Sequence, residues 1–103
     1  MEDSIIILGR VGETGANTVS IDLSEFREFG NGVYHLFHQR PTDTEPYEVE
    51  NIYVSDGKLY WNVTANDVEY VGVGRAEVRL QGEDFLVKSR VYLTKTDPAL
   101  PGM

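Results

Sequence analysis

The chain's two histidines, His35 and His38, stand three residues apart in an apolar run, Val33 to Gln39, that reads as a strand. Side chains three apart on a strand point to opposite faces, so the imidazoles do not close on one metal ion, and each reads as a structural or surface histidine. Asp43, Glu45, Glu48 and Glu50 gather around one loop. Oxygen clusters hold calcium, but this spacing lacks the ligand pattern of an EF-hand and reads as a solvated face. Glycoside cleavage needs two carboxylates about 5 to 10 Å apart across a cleft, one of them with its pKa raised by burial. Seventeen acids guarantee pairs, and none is singled out. Ser4, Ser20, Ser24, Ser55 and Ser89 lack the context of a nucleophile elbow. Gly9, Gly12 and Gly15 mark a turn, without the Lys-Ser/Thr or helix pattern of a phosphate loop. With no cysteine, disulfides, thiolate nucleophiles and thiolate metal sites are absent. The expectation is a protein that is not an enzyme, with no catalytic residue, no cofactor and no metal.

Surface chemistry is the better prospect. Tyr34, Tyr60, Tyr70 and Tyr92 stand with Trp61 in strand-like runs. If the strands of Tyr34, Tyr60 and Tyr92 are neighbours, their rings form an amphipathic patch suited to a protein contact or to stacking on sugar rings. The rigid, charged Arg40-Pro41 turn is a candidate docking loop. Nine Lys and Arg against 17 Asp and Glu give a net charge of -8. Residues 1 to 70 hold 13 of the acids and four of the bases. That balance excludes nucleic acid and anionic membranes as partners and suits a basic one. No run approaches the roughly 20 apolar residues that span a bilayer. The opening Met1-Glu2-Asp3-Ser4 lacks the basic region of a signal peptide.

The elements that must carry these residues are strands. No long window keeps a helical apolar stripe, whereas β-branched and aromatic runs recur about every ten residues. Ile5 to Leu8, Val19 to Leu23, Val33 to Gln39, Tyr47 to Val54, Lys58 to Thr64, Arg75 to Leu80 and Phe85 to Thr96 read as strands. Ser24 is expected to cap one helical turn over residues 24–29. Asp56-Gly57 between alternating runs predicts a type I′ hairpin. Gly72 and Gly74 read as a chain reversal, with close backbone approach before a strand as the alternative. The fold class is all-β: an antiparallel β-sandwich of seven or eight strands, immunoglobulin-like in the loose sense, spanning residues 1–96. Residues 97–103, with two prolines, read as a tail or linker. The expected core is Ile6, Leu8, Ile21, Leu36, Val54, Leu59, Trp61, Val63, Val78, Leu80, Val87, Val91 and Leu93. Asp67, with Tyr70 three residues on, is similar to the tyrosine corner of immunoglobulin-like domains.

Certain strings carry a family resemblance: His38-Gln39-Arg40-Pro41, Asp43, Pro46-Tyr47, Gly57-Lys58-Leu59-Tyr60-Trp61, Thr64-Ala65-Asn66-Asp67, Gly72 to Leu80 and Val87 to Tyr92. Together, over roughly residues 18 to 96, they resemble the N-terminal β domains of baseplate upper proteins and tail-fibre-like structural proteins of phages and prophages of Firmicutes. The resemblance implies a virion protein, made in the bacterial cytoplasm, that docks on the particle through contacts with other virion proteins and with its own copies. It carries over no catalytic residue. No heptads for a fibre follow residue 96 in this sequence: either a C-terminal fibre region is missing from it or the domain stands alone, and the second reading brings capsid decoration or head-fibre attachment into view as an alternative. A carbohydrate-binding module is the alternative of another class.

Overall fold

A computed structural model describes residues 5–100. The reading of residues 1–4 and of 101–103 lies outside them. Nine strands follow in order: β1 (Ile5–Arg10), β2 (Thr18–Asp22), β3 (Val33–Gln39), β4 (Tyr47–Val49), β5 (Ile52–Ser55), β6 (Lys58–Asn62), β7 (Gly72–Gln81), β8 (Leu86–Lys88) and β9 (Tyr92–Asp97). A six-stranded sheet runs β1-β9-β7-β3-β4 with β8 also on β7, and a three-stranded sheet runs β2-β6-β5. The two sheets share one core, and the all-β class holds. Of the expected tail, Asp97 completes β9 and residues 98–100 carry no regular structure.

Every pairing is antiparallel except one. β1 lies parallel to β9, from Ile5 beside Leu93 to Arg10 beside Asp97, which corrects the purely antiparallel expectation. The register shifts between Ile7 and Gly9, where Leu8 drops out of the ladder and into the core. The Leu8 carbonyl accepts from Asn17 Nδ2 at 3.0 Å, and Glu13 Oε1 accepts from the Arg10 amide at 2.8 Å.

The count exceeds seven or eight because two expected strands are each divided. Tyr47 to Val54 breaks at Glu50-Asn51, where the Ile52 amide donates to the Glu50 carbonyl and the chain crosses from the larger sheet to the smaller. Phe85 to Thr96 breaks at Ser89. Leu80 faces Val87, and the Ser89 amide still bonds the Val78 carbonyl, but Ala76 faces Tyr92. One extra residue has entered, and because the side-chain period is two, everything after it changes face. Tyr92, Thr94 and Thr96 therefore point inward, while Val91 is exposed and Leu93 lies on the outer face. These two leave the expected core. So does Val54, which is 46% exposed because β5 is the outermost strand of its sheet.

The remaining expected core residues are buried or, for Ile6 and Val87, partly buried against the cluster. Leu23, Phe26, Val49, Val68 and Ala76 join it. The turn after β2 is a short 3-10 helix, Ser24–Phe26, in which Ser24 makes no side-chain cap. Instead its amide donates to Asp22 Oδ1 at 2.8 Å. Asp56 and Gly57 have φ of 52° and 77°, the paired positive values a type I′ turn demands, and Ser55 closes on Lys58. A Cβ on Gly74 would stand 2.4 Å from the Gln39 carbonyl oxygen, so the close approach of β7 to β3 requires glycine there.

Trp61 is fully buried between the sheets. Trp61→Ala is expected to cost about 3 to 5 kcal/mol through the cavity it leaves. Urea unfolding measures this, and a variant melting within a degree or two of the parent would remove Trp61 from the centre of the core.

Candidate functional site

Two places gather polar or reactive side chains, one inside the fold and one on its surface. The interior one centres on Asp67, in the turn after β6. Its Oδ2 accepts from Trp61 Nε1 at 3.1 Å, the Thr64 amide at 2.8 Å and Thr64 Oγ1 at 3.1 Å. Its Oδ1 accepts from the Tyr47 hydroxyl. Because a carboxylate only accepts, Tyr47 must donate to it, and the hydroxyl is left to accept from His38 Nδ1 at 2.9 Å. His38 Nε2 then accepts from Thr94 Oγ1 at 3.3 Å. The order Thr94, His38, Tyr47, Asp67 resembles a proton relay. Thr94, His38 and Asp67 are buried, Tyr47 is half-buried, and every member has a fixed partner. Burial drives His38 down to about 4, assisted by the charge of Arg40, and keeps it neutral. Burial, then the adjacent Asp67, pushes the Tyr47 phenol far above its ordinary range.

Arg40, expected in a docking loop, braces this network. Its Nε and Nη2 hold Asp43 at 2.8 and 3.0 Å, and its Nη1 reaches the Asn66 carbonyl at 3.1 Å and Glu69 at 2.9 Å. The guanidinium lies between the rings of Tyr47 and Tyr70, at 5.1 and 5.0 Å. The hydrogen bonds from Arg40 hold the Asp43 carboxyl below the usual range. Pro41 packs beside Gly72. Asp67 pairs with Tyr47 and not with Tyr70, so the resemblance to a tyrosine corner fails at that contact.

The three tyrosines expected as one patch are not brought together. Tyr34 faces the core edge-on to Phe26, with centroids 5.6 Å apart. Tyr92 faces inward after the slip at Ser89, under Arg90. Tyr60 alone faces outward, stacked on Tyr53 across the hairpin. Tyr53 was readable from the two-residue Asp56-Gly57 turn, which fixes residue 53 opposite 60. His35 and His38 do take opposite faces, His35 against Glu48 outside and His38 inside. Among the described residues no three His, Cys, Asp or Glu side chains gather to hold a metal.

The surface site is the outer face of the six-stranded sheet, which sequence reading missed because the slip at Ser89 is what places Val91 and Leu93 there. Ladder partners define its rows: Ile7, Lys95 and Val73; then Ile5, Leu93, Arg75 and Gln39; then Glu77, Phe37 and Glu48; then Lys88, Arg79 and His35; then Leu86, Gln81 and Val33. Ile5, Ile7, Val33, Val73, Leu86 and Val91 are exposed, each near or above half. Arg79 lies 4.1 Å above the Phe37 ring and 2.7 Å from Glu77. Phe37, Gln39, Pro46, Arg75, Arg79 and Val91 line a shallow groove. Four of the chain's nine basic residues stand on this one face of an acidic protein.

No protein-family model matches the chain, and no curated protein matches it.

The interior network makes folding pH-dependent. His38 titrates near 6.5 in the unfolded chain and near 4 in the folded one, so between these values the unfolded state binds more protons. Its contribution is complete above pH 6.5 and is lost as pH falls toward 4. The expected loss is about 3 kcal/mol across that window. Urea unfolding at several pH values measures it. His38→Gln, less stable at neutral pH, is expected to flatten the dependence, and an unchanged slope would assign the titration to another group.

Proposed function

We propose that the domain is a non-enzymatic docking module whose contact surface is the outer face of the six-stranded sheet. The observation that carries the reading is the composition of that face. Exposed Ile5, Ile7, Val73, Val91 and Leu86 stand among Arg75, Arg79, Lys88 and Lys95, and no described element covers them. Of these cations Arg79 pairs with Glu77 and Lys95 with Asp97 on the same face, while Arg75 and Lys88 have no salt-bridge partner among the described residues. Apolar side chains in a row on an open sheet face mark an interaction surface, and the cations select an acidic occupant. A second copy of the chain supplies one: away from this face acids dominate, with Asp22, Glu25, Glu28, Glu45, Glu50, Asp56 and Glu69 in or beside strands and turns. Contact between unlike patches is heterologous and builds rings where the rotation closes. The two sheets packed around Trp61 support the finer reading of a loosely immunoglobulin-like sandwich.

Taken with the resemblance of residues 18 to 96, this supports reading the domain as a structural component of a phage virion, at the baseplate or tail-fibre attachment point. Copies meet one another and other virion proteins there. The internal commitment of Arg40 moves the proposed contact away from the Arg40-Pro41 loop and onto Arg75, whose side chain has no salt-bridge partner among the described residues.

Sedimentation at about 50 mM and about 500 mM salt tests the contact, since charge pairs at a rim weaken as the screening length shrinks. Association is expected at low salt, weaker at high salt, and abolished in Arg75→Glu with the melting temperature unmoved. A chain that stays monomeric at every concentration would overturn the self-contact. Particle location is tested by electron microscopy of virions labelled with antibody to this domain. Gold at the tail tip is the expected result, gold over the head would move the assignment to capsid decoration, and unlabelled particles would overturn the virion reading.

A further inference from the structure

Beyond that reading, we infer that the outer face of the three-stranded sheet binds neutral pyranose oligosaccharides, with Tyr53 and Tyr60 as the stacking platform. Leu59 and Trp61 are fully buried, so Tyr60 between them projects outward, and the hairpin register places Tyr53 directly across from it. The rings stack with centroids 5.0 Å apart and planes 18° apart. Tyr53 is 52% exposed at the sheet edge, and Tyr60 is half-buried. On the other side Tyr60 faces Ser20, a side chain too small to cover its second ring face. The Asp56-Gly57 turn fixes the register, so the platform exists before a ligand arrives.

The surroundings choose the ligand class. The outward neighbours are Thr18, Ser20, Ser55 and Asn62, all neutral hydroxyls and an amide. Thr18 Oγ1 donates to Asn62 Oδ1 at 2.9 Å, which leaves the Asn62 amide nitrogen free to donate on this face. The two charges of the face, Asp22 and Lys58, oppose each other on its last row. A sugar ring presents the same arrangement in complement: an apolar face of axial C–H groups for the tyrosines and equatorial hydroxyls for the polar rim. A protein seat would surround the rings with aliphatic side chains, as on the other sheet, and here no outward-facing position of the ladder carries one. A nucleic acid would need cations beside the rings, and Lys58 stands against Asp22. β-Linked glucose-type chains, with axial hydrogens on both ring faces, fit best, and because the two phenols stack on each other a sugar ring takes the face each leaves open, over Ser20 for Tyr60 and at the sheet edge for Tyr53.

Titrating the isotope-labelled domain with cellohexaose, chitohexaose and maltohexaose, read by amide chemical shifts, tests the site. Shifts confined to β2, β5 and β6 are expected with the two β-linked sugars, in the millimolar range or tighter, with maltohexaose weaker. Tyr53→Ala, at an exposed edge position, is expected to weaken binding about tenfold or more. Ser20→Arg, which covers the second face of Tyr60, is expected to do the same. The unchanged indole signal of Trp61 reports that each variant is folded. Arg75→Glu is expected to bind sugar as the parent does, which separates this site from the docking face. No shifts with any of the three sugars at about 10 mM, shifts on the six-stranded sheet instead, or parental affinity in Tyr53→Ala would each overturn the proposal.

Discussion

One buried carboxylate joins the two sheets at the end where the chain crosses between them. Asp67 accepts from Trp61 of the smaller sheet on one oxygen and from Tyr47 of the larger sheet on the other. A carboxylate in such a place is tolerable only when its lone pairs are filled, and four donors fill them. The requirement propagates outward. Tyr47 must donate, hence His38 must present Nδ1–H, hence Thr94 must face inward on β9. The last demand fixes the phase of β9, and with it which of that strand's side chains reach solvent.

The sequence pattern made much of this legible. The alternation of Leu59, Trp61 and Val63, and of Ala76, Val78 and Leu80, identifies the inner faces, and Asp56-Gly57 alone determines the hairpin register. Two divisions escape such reasoning because each looks locally like unbroken strand. Glu50-Asn51 interrupts a strand-like run, with Val49 and Ile52 both turned inward on either side of it, and the sheet exchange there shows that it is two strands. Ser89 sits in a run of regular alternation, and its hydroxyl, which accepts from the Val78 amide and donates to the Arg90 carbonyl, absorbs the extra residue. A serine at an inward position was the available signal. The parallel β1–β9 pair joins residues about ninety apart, where no short-range rule reaches.

The two sheets present chemically different exteriors. The larger shows aliphatic side chains interleaved with cations. The smaller shows two stacked phenols among hydroxyls and an amide. A small domain has little interior to spare for a deep pocket, so these two exteriors are where its chemistry is open to solvent. The Arg40 brace, holding Asp43, Asn66 and Glu69 at the closed end, keeps the two surfaces at a fixed relative orientation.

The parallel pairing of the first and last strands has a mechanical meaning. Because β1 and β9 run the same way, Ile5 and Asp97 stand at opposite ends of their shared ladder. A pull applied through these two residues therefore loads the ladder along its length, in shear, so that its hydrogen bonds resist together. An antiparallel pair pulled from one end would open bond by bond. Forced unfolding is governed by the unfolding rate, and shear raises the barrier that sets that rate. Tension is thereby carried along a line through the sheet, while both broad faces stay undistorted.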